Sequence, residues 1–155
     1  MFYKVIIFLS VLVCPIISLG ACKPEEQIIR NYLDQNQPPE FGQGLVVAKH
    51  RGNLRGTIEA IAVIYSYQIS NTGDRFGEYL VLFEPHDNRC QASIPVQVGL
   101  RGIQTFSKIE VKDNKIILAG LRWAPSDAMC CPSKEVMITF SYNGEGMPIP
   151  LADGT

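Results

Sequence analysis

From Leu45 to Tyr142 the chain is a succession of short branched and aromatic runs separated by turn residues, and this pattern leaves few folds open. Glu59–Ile69 is rich in β-branched and aromatic residues, with Ile61, Val63, Tyr65 and Tyr67 at alternate positions. Such spacing puts one set of side chains on one face of a strand. Glu78–Phe83 follows the turn signal Asn71-Thr-Gly-Asp74 as an antiparallel partner. Lys108–Lys112 alternates strictly, Asp113-Asn114 is a tight-turn dipeptide and Lys115–Ala119 returns, the clearest hairpin in the chain. Leu121-Arg-Trp123 extends it into a loop, Ala124–Ser133, and Glu135–Tyr142 is the last strand before Asn143-Gly144. Ile94–Val98 reads as a short strand, and Pro95 within it predicts a sheet edge.

One helix precedes these strands. Pro24 suits a first helical position, Glu25 and Glu26 suit the positive end of the helix, and Ile28, Ile29, Tyr32 and Leu33 share a face. Pro38-Pro39 stops it. The economical solution is an α+β fold: one N-terminal helix packed on a predominantly antiparallel β-sheet, in a single domain.

The first 21 residues have a different character. One early lysine, Lys4, precedes an uncharged apolar run from Val5 to Leu19, and small residues follow. That is the organisation of a signal peptide, residues 1–21, ahead of a single β-rich domain over 22–155. The run is short for a membrane span, which takes about 20 apolar residues, and Pro15 weakens a helix through it. The expected location is the bacterial periplasm or envelope. Leu19-Gly-Ala-Cys22 resembles a lipobox, in which Cys22 would be lipidated and hold the protein to a membrane; ordinary cleavage after Gly20 or Ala21 is the alternative.

Export bears on the cysteines. Cys14 leaves with the leader, so Cys22, Cys90, Cys130 and Cys131 remain. In an oxidising compartment their default is disulfide formation. A bridge between Cys130 and Cys131 would close an eight-membered ring around one peptide unit, which trans geometry fits poorly. The expectation is therefore that Cys90 bonds one of the adjacent pair. Redox motifs place two residues between their cysteines, so structural bridging is the preferred reading over redox work.

Removing residues 1–21 takes away Lys4 and no acid, leaving 13 basic groups against 15 acidic ones. A near-neutral chain without a basic run lacks the electrostatic minimum for nucleic-acid binding. His50 and His86 lie in no metal-spaced cluster, and no G-x-S-x-G elbow is present. Both histidines read as surface-loop residues. No catalytic residue, metal ligand or cofactor is assigned, and the enzyme class is disfavoured without being closed. Trp123 is a candidate binding anchor, and Asp127 a turn cap that belongs to the same candidate surface.

Two segments resemble known sequence patterns. Arg51-Gly-Asn-Leu-Arg-Gly-Thr-Ile-Glu59, followed by Ala60–Val63, resembles the D-x-N-x-D-G-x-x-D loop that binds Ca²⁺ in many secreted bacterial proteins. Asn53, Gly56 and Glu59 match, but Arg51 and Arg55 stand where acids should be, and guanidinium groups repel Ca²⁺. The expectation is a degenerate loop without metal, in which an arginine takes the cation's place and pairs with Glu59. Pro125–Ser133, preceded by Ile109–Ile116, is similar to a D-x-M-C-C-P-S segment in a group of uncharacterised bacterial envelope proteins. That resemblance spans roughly residues 46–142 and implies location and fold rather than activity. The leading functional expectation is a non-catalytic envelope protein that binds another protein or a cell-wall component, an immunity or inhibitor protein being one concrete version. The alternatives are a hydrolase with a loop-assembled site and a structural lipoprotein with no discrete ligand.

Overall fold

The computed structural model describes residues 22–54, 56, 58–69, 75–142, 144 and 146–151. Residues 1–21, where the sequence pattern suggests a signal peptide, lie outside the described residues, as do Arg55, the turn at 71–74 and Asn143. Helix α1 (Glu25–Gln35) follows Pro24, which is the N-cap, and ends at Asn36, whose backbone N–H donates to Tyr32 O at 3.0 Å. The strands are β1 (Phe41–Leu54), β2 (Ile58–Ile69), β3 (Arg75–His86), β4 (Arg89–Ala92), β5 (Val96–Leu100), β6 (Gln104–Lys112), β7 (Lys115–Arg122), β8 (Lys134–Ser141) and β9 (Ile149–Pro150). They form one antiparallel sheet in the order β1-β2-β3-β5-β6-β7-β8-β9, with β4 also paired to β3. One helix on a mostly antiparallel sheet is the α+β architecture that the alternation implied.

The Asp113-Asn114 hairpin has both turn residues left-handed, φ 50° and 63°, and Lys112 opposite Lys115. That is a two-residue turn whose twist matches its strands. Asp87-Asn88 repeats the same dipeptide and backbone, φ 45° and 62°, and makes β4 the return strand of β3. Pro95 does not mark an edge. It stands one residue before β5, and β5 runs between β3 and β6 in the sheet order, so the missing N–H falls outside the ladder.

The sheet turns a corner between β5 and β6, which share only the pair Leu100 and Gln104. Beyond it β6 swings across to the free edge of β1, where Val111 N–H donates to His50 Nδ1 at 3.1 Å. The strands close to contact there, because a Cβ on Gly52 would stand 2.6 Å from Val111 O. His50 is thus a half-buried strand residue that bridges two edges, not a loop residue; His86 is exposed at the end of β3.

The curl divides the apolar side chains into two layers. Ala60, Ala62 and Ile64 of β2 and Leu80 and Leu82 of β3 face inward, against Phe106, Val111, Ile116, Leu118 and Phe140. The alternate set, Ile61, Val63, Tyr65, Tyr67, Val81 and Phe83, faces α1 and meets Ile29 and Leu33. Strands buried on both faces read as continuous apolar runs, as Ala60–Tyr65 and Leu80–Phe83 do. Tyr32 stands edge-on to Tyr65 and Phe83, with ring centroids 5.9 and 5.3 Å apart.

This aromatic layer makes the fold sensitive to alkali. Burial first, then the neighbouring Tyr32, pushes the Tyr67 phenol up to about 12, and burial raises Tyr65 and Tyr32 as well. A raised acid favours the neutral phenol in the folded state. The stabilisation is therefore complete below the ordinary phenol value near 10 and is lost as pH rises towards 12. Phenolate absorbance and circular dichroism followed together should show these tyrosines ionising only as the sheet unfolds. Reversible ionisation of all tyrosines near 10 with the fold intact would contradict the packing.

Candidate functional site

The loop between β7 and β8, residues 124–133, is held by its own side chains. Its ends are paired strand positions, Arg122 opposite Lys134. Asp127 Oδ2 accepts from Ala124 N–H at 2.7 Å and Ser133 N–H at 2.9 Å, and Oδ1 accepts from the Ser133 hydroxyl at 2.8 Å. The Ala124 amide and the Ser133 hydroxyl hold this carboxyl below the usual range. Asp127 is therefore the turn cap that its position suggested. Trp123 Nε1–H donates to Ala128 O at 3.1 Å, and Cys131 N–H reaches the same oxygen at 3.0 Å. With these groups satisfied internally, the loop keeps its shape without a ligand.

Against this loop lies a cleft of about 340 Å³. Trp123, Met129, Cys130 and Pro132 form one wall, and Leu100, Arg101, Gln104 and Thr105 the other. Trp123 is half-buried and Met129 is exposed. Glu78 lies at the base and is 5% exposed. One carboxylate oxygen accepts from the Thr105 hydroxyl, and the other accepts from Phe106 N–H at 2.7 Å. Glu78 thereby supplies the acceptor that β5 does not offer β6 beyond the corner. It went unmarked in the sequence, although parity places it on the inward face with Leu80 and Leu82, and that parity is legible. Gly99 makes room for it, since a Cβ there would stand 2.5 Å from Glu78 Oε2.

The cysteines pair differently from expectation. Cys22 is bonded to Cys90, with Cα atoms 4.8 Å apart, and Cys130 is bonded to Cys131. Cys90 cannot meet the adjacent pair. It sits opposite Pro85 at one end of β3, whereas Cys130 lines the cleft beside Gly77 at the other, eight positions away and about 26 Å along a strand. The adjacent bridge closes with Cα atoms 3.8 Å apart, the trans spacing, so a trans peptide does admit it here. Cys22 is 4% exposed in the helix–sheet layer. A sulfur bonded to Cys90 cannot also carry the thioether of a lipid anchor.

The degenerate cation loop lies elsewhere, beside α1. Arg51 Nη1 is 2.9 Å from Glu59 Oε2, the pairing expected of an arginine in that loop, and Arg51 Nη2 is 2.8 Å from Glu25. Lys49 joins Glu25 at 2.8 Å and also contacts Glu26. Partial burial pushes Glu25 up, but hydrogen bonds from Lys49 and Arg51 outweigh it and hold the carboxyl below its usual value. Asn53 is exposed on β1 opposite Glu59. These charges tie the helix to β1 and have no part in the cleft.

A second cavity of about 560 Å³ brings Glu84, His86 and Ser93 together. Its geometry is not that of an activated nucleophile. The Ser93 hydroxyl accepts from Leu82 N–H at 3.0 Å and donates to Ile94 O at 3.3 Å, while His86 Nε2 faces Asp87 at 3.4 Å. A general base needs hydrogen-bond reach of the nucleophile's proton. Among the described residues no three His, Cys, Asp or Glu side chains gather as a metal would need, and no helix is long and apolar enough to cross a membrane. No family model, curated protein or solved structure matches this chain.

Proposed function

We propose that this chain is an exported, non-catalytic binding protein of the bacterial envelope whose partner, another protein or a wall component, docks over the Trp123–Met129 cleft. The observation that carries the reading is the pinned loop. A half-buried tryptophan and an exposed methionine line a cleft whose wall is shaped before any partner arrives. Aromatic anchors that become buried in an interface carry much of its binding energy, and a preformed wall lowers the ordering cost of association. The signal-peptide pattern and the D-x-M-C-C-P-S resemblance support an envelope location. An immunity or inhibitor role is the concrete version. Because the Cys22 sulfur serves the bridge to Cys90, ordinary cleavage without a lipid anchor is the preferred form.

A photo-crosslinking residue placed at Met129, with a control at exposed Lys112 on the far hairpin, tests this in cells. A discrete adduct from position 129 alone is expected, and Trp123→Ala should reduce it about tenfold or more, as loss of an aromatic anchor does. Equal adducts from both positions, or no effect of Trp123→Ala, would remove the cleft from the function. A hydrolase is the second reading, and it requires Ser93 to exchange its bond to Ile94 O for one to His86 across the second cavity. Labelling of Ser93 by a fluorophosphonate would establish it.

A further inference from the structure

We infer that the Cys130–Cys131 bridge is a reactive site, a two-electron acceptor that undergoes thiol–disulfide exchange with dithiols reaching the Trp123 cleft. The two bridges of this chain stand in opposite surroundings. Cys22 is 4% exposed and packed with Ile29 and Phe83 in the helix–sheet layer, and Cys90 is half-buried on β4. Cys130 and Cys131 are both exposed, and Cys130 lines an open cleft. Exchange requires a thiolate to approach a sulfur, so access separates a bridge that reacts from one that does not.

The sequence argues in the same direction. A bridge between neighbours closes almost no loop, so it restricts the unfolded chain little, whereas Cys22 and Cys90 are 68 positions apart. The exposed bridge therefore has little to do for stability. The loop around it is held independently of it, by Asp127, Ser133 and the Trp123 indole. Opening the bridge therefore leaves the fold in place and alters only the wall formed by Met129, Cys130 and Pro132.

The chemistry balances. One thiolate of the dithiol bonds to a sulfur of the pair, the Cys130–Cys131 bond breaks, and the released cysteine thiolate takes up a proton. The second thiol of the donor then attacks the mixed disulfide. The donor leaves as a disulfide, and Cys130 and Cys131 become two thiols, having received two electrons and two protons. This reactivity stands whether or not a partner docks at the cleft.

The test uses the mature, exported protein with dithiothreitol as the dithiol, quenched at intervals with iodoacetamide and mapped by peptide mass spectrometry. Trp123 is the only tryptophan in the chain, so its emission reports on this site alone. Cys130 and Cys131 should be alkylated about tenfold or more faster than Cys22 and Cys90, given the difference in access. Trp123 emission should change with the same time course while circular dichroism stays constant. The Cys130→Ser/Cys131→Ser variant should fold and show no emission change. Simultaneous opening of both bridges, earlier opening of Cys22–Cys90, or free thiols at 130 and 131 in untreated protein would overturn the assignment.

Discussion

Cys90→Ser is expected to lower the free energy of unfolding by about 4 kcal/mol, the chain-entropy value for a loop of this length. The bridge it removes joins residues 68 positions apart and fastens the segment before α1 to β4. A loss of that size corresponds to a fall in Tm of roughly 15 °C for a chain of this length. The effect has a second source, because Cys22 is part of the layer in which Ile29 and Leu33 meet Val63 and Phe83. Freed from Cys90, the start of α1 is held to the sheet by the Glu25–Arg51 and Glu25–Lys49 ion pairs, and partly exposed pairs of that kind contribute about 1 kcal/mol or less. Thermal unfolding of Cys22→Ser, Cys90→Ser and the double variant provides the measurement. All three should lose at least that much, and the double variant should match Cys22→Ser. Wild-type stability in the double variant would mean that the bridge braces nothing. Alkylation of Cys90 in unreduced native protein would show Cys22 engaged elsewhere, as a lipid anchor requires.

Glu78→Leu should be nearly as damaging, by about 3 kcal/mol. Its carboxylate receives two donors from β6, the Thr105 hydroxyl and Phe106 N–H, while the residue itself is 5% exposed. Hydrogen bonds to a charged acceptor contribute about 1.5–3 kcal/mol each, and a buried amide left without a partner costs about 1–3 kcal/mol. Leucine fills comparable space and accepts nothing, so the Phe106 amide would be stranded where β5 has already left β6. Glu78→Gln keeps one acceptor and should lose about half as much. Urea midpoints at unchanged m-value measure both. Should Glu78→Leu prove as stable as the parent, the corner of the sheet is held by packing alone, and the base of the cleft needs a different account.

Much of the fold was legible because it is written between neighbours along the chain. The helix start at Pro24-Glu-Glu, the stop before Pro38, and the Asp113-Asn114 turn are short-range facts of capping, φ and hydrogen bonding. Asp87-Asn88 carries the same signal, and reading it would have found β4. Asp127 as a turn cap and Arg51 as the partner of Glu59 were also within reach, at six and eight positions from their partners. The burial of Glu78 was implied by its parity with Leu80 and Leu82, but an acid at the end of an apolar run reads first as the point where a strand meets solvent.

What the chain alone could not decide is which distant segments meet. The cysteine pairing depends on Cys90 and Cys130 falling at opposite ends of β3, and no local pattern encodes that separation. His50 became a bridge to Val111, and Glu78 a bridge to Phe106, only because the sheet curls until β6 reaches the edge of β1. Residue types and their spacing determined that there would be a helix, a sheet and a pinned loop, since side-chain period and turn chemistry act over a few residues. Closure of the sheet decided the bridges and the cleft, because burying both faces of β2 and β3 requires contacts across the whole chain.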